Sequence, residues 1–434
     1  MESKKKSKKI EKNSILIFSI SFFLVFYYFY GFFTDENSSG AGGYDADFSL
    51  IWSNLNLLKD GIFNNLNNPN YSDSRPPLSY ILHIFFNPFI HDQEAFRLSA
   101  LLISLIVPIL IFFSIKENYS KMDIKVCLLL ALIITLSPYF RTTAFWALGE
   151  NYAYIFVAIS FLFYQKFKNE LKKFNSFKIF ILIFFICLSS SLIVYLDQKL
   201  IFIPFILFIS ILFMKIEITI KYYFTILFSL FALPYIYLIY IWGAVIPQPA
   251  AEAREVGLAV HFFNPIYCLT IIAFYIFPFI FYKKEKIIFL LKKKFDRSLL
   301  TIIGLLSLYF FYTIYFNNID NLTVDGKGYF FKLSYYFFEN TLIKILFTYI
   351  ALILSTIVIY IFFEDKKDLF LVLFFLVLSF FTYPFYQEYL DPLIYILIFT
   401  FFNIKLNFSN KNIYFLFFYF LFFSLGAKFY YLII

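Results

Sequence analysis

Thirteen apolar runs follow one another along these 434 residues and leave little room for a water-soluble domain. They lie near 15–33, 95–115, 125–140, 144–164, 179–196, 199–214, 222–242, 265–282, 299–316, 341–363, 369–386, 388–404 and 412–432. A helix crosses a hydrocarbon core of about 30 Å with about 20 apolar residues, each rising about 1.5 Å. With 61% hydrophobic and 15% charged residues, the chain has too little polar surface to cover a globule of this size. The expectation is an all-α membrane protein, a bundle of about thirteen transmembrane helices forming one polytopic domain over 1–434. The 68 phenylalanines are read as lipid-facing and packing residues without functional weight.

The basic residues set the orientation. Cytoplasmic loops carry an excess of Lys and Arg. With the lysine-rich N-terminus inside, most of the 37 basic residues fall on that side. The first run, after Lys4 to Lys9, is too long and aromatic for a secretory signal and reads as an uncleaved anchor. The net charge of +9 is therefore topological, and no nucleic-acid module accompanies it. Leu78 to Ile90 is apolar but too short to cross. Counting it as a span would put the later basic clusters outside, so it reads as a segment that lies along the outer interface or re-enters from it. Cys127, Cys187 and Cys268 show no metal-ligand or disulfide spacing.

This topology places 34–94, 243–264 and 317–340 outside, with short turns at 140–151 and 387–391. Phe48, Ile51, Trp52, Leu55 and Leu58 recur at helical spacing and predict an amphipathic interfacial helix. Asp45 and Asp47 stand at its start, after the glycine-rich Gly40-Ala-Gly-Gly. One can be a simple cap, and the pair leaves a carboxylate for chemistry. In Arg75-Pro76-Pro77-Leu78 the prolines stiffen the backbone around a guanidinium suited to gripping a phosphate or a lipid headgroup. In the turn from Ser137 to Asn151, Glu150 is an ionisable residue at the mouth of a span, and Arg141 is its candidate salt-bridge partner.

The acidic start of an interfacial helix, the Arg75-Pro-Pro-Leu-Ser-Tyr80 stretch about thirty residues on, and Ala95-Phe-Arg-Leu-Ser-Ala100 opening the second span together resemble the GT-C glycosyltransferases. The resemblance lies nearest the bacterial branch with the lipid A aminoarabinose transferases and relatives of the protein O-mannosyltransferases. It is clear over 1–165 and only topological over 166–434. It implies a GT-C-like bundle in the bacterial inner membrane, with a polyprenyl-phosphate sugar donor and a cell-envelope acceptor, lipid, glycan or protein, on the outer face. It implies Asp45 as catalytic carboxylate, with Asp47 the alternate, and Glu150 as the second acidic position. Arg75, Arg141, Arg254 and Lys327 are donor-phosphate candidates. His261 falls where aminoarabinose transferases place a metal-binding histidine, so a divalent metal ion is the one cofactor in question. The sequence departs from those enzymes where their acidic residue and lysine are Ser74 and Arg75, with Asp73 one position out of register. Two rivals remain. A transporter or flippase would show related halves, and a different envelope polymerase or ligase would concentrate its polar residues in a later loop.

Overall fold

The computed structural model describes residues 2–39, 43–173, 176–247, 250, 260–283, 296–316, 328–382, 385–408 and 413–433. These residues are mostly helical, without a named strand; one isolated bridge joins Lys283 to Leu406. Eight of the helices are long and apolar enough to cross a membrane, and nine if one bent pair counts as a single span. The eight coincide with the runs at 15–33, 95–115, 179–196, 222–242, 265–282, 299–316, 341–363 and 412–432. Helices such as Ile218–Trp242 turn many bulky side chains outward, among them Tyr222, Ile226, Leu230 and Tyr240. Water would penalise so continuous an apolar face, and lipid does not.

The other five runs take different forms for local reasons. The run at 125–140 becomes Ile124–Leu136 followed by Pro138–Phe145, bent by 72°. Ser137 caps the second piece, its hydroxyl accepting from Phe140 N at 3.0 Å, and Pro138 sits where a missing N–H costs nothing. The run at 144–164 becomes Gly149–Leu171, which has the length to cross but is diluted by buried polar residues including Glu150, Asn151 and Gln165. It packs on Ser176–Leu196 and Ile106–Asn118, so protein rather than lipid surrounds much of it. The runs at 199–214, 369–386 and 388–404 yield shorter helices, Gln198–Leu212, Lys366–Ser379 and Leu393–Thr400. Leu78–Phe86 is a nine-residue helix, too short to cross, as its sequence predicts.

The chain divides into two compact units. One holds 1–256 with 399–401 and 423–434, the other 257–398 with 402–422. Within the first, Pro234 interrupts Ile218–Trp242. Tyr195 repairs the break: its hydroxyl donates to Phe231 O at 2.6 Å and accepts from Tyr235 N at 3.1 Å, replacing the helical bond that the proline disturbs. Contacts in this unit also separate by helix end. At one end Asn169 donates to Glu117 and Asn118 to Phe399 O. At other helix ends two ion clusters form, one of residues 75, 150 and 199 and one of residues 36, 141 and 428. In the second unit, the buried Lys283 ammonium donates to Ile361 O and Phe362 O and pairs with Glu364 at 2.8 Å, satisfying the C-terminal carbonyls of Thr341–Phe362.

A buried ion cluster as candidate functional site

The loop from 71 to 80 docks onto the ends of two helices through Arg75. Its Nε and Nη2 donate to the two carboxylate oxygens of Glu150 at 2.7 and 2.8 Å, a bidentate pair at the start of Gly149–Leu171. Its Nη1 reaches Asp73 at 3.1 Å, and Asp73 also accepts from Arg75 N and from the Tyr80 hydroxyl. Tyr71 donates to Arg75 O at 2.9 Å, and Gln198 donates to Ser74 O. Tyr139 adds a hydrogen bond to Glu150 at 3.0 Å, and the Lys199 ammonium lies 3.5 Å from the same carboxylate. The side chains of Arg75, Asp73 and Glu150 are all at most 8% exposed. The proline-stiffened turn is thus held by matched charges in a low-dielectric setting.

Gly149 makes this docking possible. A Cβ there would stand 2.8 Å from Leu196 O and 3.0 Å from Arg75 Cδ, the first a backbone atom with little room to retreat. Gly149→Ala is expected to cost about 1–3 kcal/mol by overpacking and to loosen the loop from 71 to 80. Thermal unfolding together with limited proteolysis in that loop would register both, and an unchanged cleavage pattern would show that Gly149 does not set the docking.

Asp45 and Asp47 occupy a single π-helical turn, Tyr44–Phe48, that leads into the amphipathic helix Ser49–Lys59. Phe48, Ile51, Leu55 and Leu58 are buried as their spacing predicts. No side chain caps Ser49–Lys59 at Phe48; instead Ser49 donates back to Asp45 O at 2.7 Å. Asp45 is exposed and Asp47 half-buried. Gly43 precedes the turn with φ of 56°, a backbone conformation in which a side chain would be strained, and the Trp146 ring lies at van der Waals distance, 3.4 Å, from where its Cβ would be. Tyr44 donates to Gln93 at 2.6 Å and packs edge-on against Trp146. Arg97 lies under the same indole at 4.3 Å and donates to Phe145 O. The segment bearing both aspartates is therefore fastened to the 145–148 turn, which runs directly into Glu150.

Arg141 does not pair with Glu150. It is fully buried against Glu36, with Nε and Nη2 donating to the two carboxylate oxygens at 2.7 and 2.8 Å. It also donates to Thr135 O, a carbonyl beside the helix bend, and to Tyr27 O. Lys428 adds a second cation to Glu36 at 3.3 Å. Arg141 is committed to this pair and sealed from solvent, which speaks against a direct grip on donor phosphate. His261 lies in the second unit, where its backbone N–H donates to Phe380 O at 2.8 Å. Among the described residues no three His, Cys, Asp or Glu side chains gather to hold a metal ion. Arg254 and Lys327 lie outside the described residues.

Asp197 and Lys199 belong to the cluster although nothing in the reading of single motifs singles them out. They sit in the short turn after Ser176–Leu196, where Asp-Gln-Lys is a polar triplet between two apolar runs, and that contrast is the signal that marks them. Asp197 is 1% exposed and accepts from Lys199 N at 3.0 Å. Burial first, and the Glu150 charge second, push its carboxyl up to about 7 against the pull of Lys199 and Arg75. Among family models, curated proteins and solved structures, no match to this chain is found.

Proposed function

We propose that this chain is a polytopic glycosyltransferase of GT-C type, with about thirteen spans and its N-terminus in the cytoplasm of a bacterium. It moves a sugar from a polyprenyl-phosphate donor to an envelope acceptor on the outer face of the inner membrane. The observation that carries the reading is the convergence of separate stretches of sequence. Arg75 and Glu150, singled out independently, form one buried bidentate pair, and the Asp45–Asp47 turn is fastened to the segment preceding Glu150. In the proposed reaction Asp45 or Asp47 takes the proton of an acceptor hydroxyl as that oxygen bonds the anomeric carbon. The bond from that carbon to the phosphate oxygen breaks, and its electron pair leaves with the phosphate. Arg75 and Glu150 hold the loop in register with the helix ends, as positioning residues. Cells lacking the protein are expected to lose one sugar from an envelope lipid, glycan or glycoprotein. An envelope with every sugar still in place would contradict the proposal.

A further inference from the structure

The cluster around Glu150 holds three carboxylates, Asp73, Glu150 and Asp197, against two cations, Arg75 and Lys199. An excess buried negative charge is costly unless it takes up a proton or meets a counter-charge. Among the described residues Asp197 is the member with no ion pair, its carboxylate accepting the backbone N–H of Lys199. Lys199 is the member that reaches the surface, its side chain 21% exposed. Its 3.5 Å contact is with a carboxylate oxygen that already accepts from Arg75 at 2.8 Å and Tyr139 at 3.0 Å. A ligand approaching from outside therefore meets an ammonium backed by a proton-accepting carboxylate.

We propose that Lys199 is the anion-binding residue of this cluster, taking the phosphate of the donor, and that Asp197 carries the proton that keeps the buried charges balanced while the anion is bound. This deepens the glycosyltransferase reading and rests on it for the identity of the anion. With Asp197 protonated, the three carboxylates and two cations sum to zero and Lys199 can turn to a phosphate. With Asp197 ionised, the phosphate adds a second uncompensated negative charge. The charged and titratable groups around Asp197 are Glu150, Arg75, Lys199 and the phenol of Tyr235 on Ile218–Trp242. A carboxyl raised toward neutrality binds its proton below that value and loses it above, so phosphate affinity falls as pH rises past neutrality, by up to about tenfold per pH unit for one linked proton.

The test is a titration of farnesyl phosphate and of inorganic phosphate into the purified full chain on both sides of neutrality. Wild type is expected to bind more weakly at alkaline pH. Asp197→Asn, which keeps the shape and removes the charge, is expected to lose the Asp197-linked fall and keep only the change that the phosphate's own second ionisation, at about 6, brings. Lys199→Gln is expected to lose at least about tenfold at every pH, and Lys199→Arg to retain binding. Lys199→Gln binding like wild type, or Asp197→Asn keeping the wild-type pH slope, would overturn the proposal. Tighter binding of farnesyl phosphate identifies a lipid-linked anion, and equal binding identifies free phosphate as the ligand of the same site. Binding that follows these expectations in a protein that releases no polyprenyl phosphate would leave the anion site standing and remove the glycosyltransferase reading.

Discussion

Glu36→Ala is expected to destabilise the protein by about 3–5 kcal/mol, the effect of leaving a buried partner charge uncompensated. Arg141 is fully buried, and without Glu36 its guanidinium keeps only two carbonyl oxygens and the faces of Tyr27, Tyr28 and Phe145. Arg141→Met costs less, because Glu36 then still has Lys428 at 3.3 Å. Glu36→Leu with Arg141→Met costs less than Glu36→Ala alone, since replacing both charges leaves neither stranded. Unfolding of the detergent-solubilised protein measures all three. If Glu36→Ala costs under about 1 kcal/mol, the range of exposed pairs, the ion pair does not hold the helix ends.

The same pair sets an acid limit. Burial by itself would raise the Glu36 carboxyl, but Arg141 and then Lys428 more than offset this and hold it below the ordinary 4.5. A carboxyl lowered in the folded protein contributes its stability above the unfolded value and loses it as pH falls through the folded value. Stability therefore declines on acidification below the ordinary carboxylate range, and this decline is shallower in Glu36→Gln.

The eight long apolar helices are legible in the sequence because lipid-facing spans need only length and apolarity, and both can be read from one run. Gly149–Leu171 is harder to classify, since a helix packed among other helices can carry Glu150, Asn151 and Gln165. The bend in the 125–140 run is announced by Ser137-Pro138, a cap followed by a helix-starting proline, set inside an otherwise continuous apolar stretch. Within the site, Arg75 stands out by the two prolines that follow it and Glu150 as a charge at the mouth of a span. Their pairing does not, because it joins residues 75 positions apart. Arg141 shows the same limit: Glu150 is near it in sequence, yet its partner is Glu36, 105 positions away. Asp73 is out of register with the resembled motif, but it still reaches Arg75 by folding back over two residues.

On the proposed reaction, Asp45→Asn or Asp47→Asn is expected to lower sugar transfer by about 10²–10⁴-fold, the usual worth of a general base. Asp45 is exposed and Asp47 half-buried in a one-turn segment that Tyr44, Phe48 and Gly43 anchor. The substituted proteins should therefore fold, which separates this loss from that of Glu36→Ala. The most direct test uses purified protein in liposomes with polyprenyl-phosphate sugars and acceptor from the cell of origin, and follows the release of free polyprenyl phosphate. Wild type is predicted to release it and the Asp45→Asn, Asp47→Asn double variant to release none. No release by wild type, or equal release by the double variant, would contradict the account.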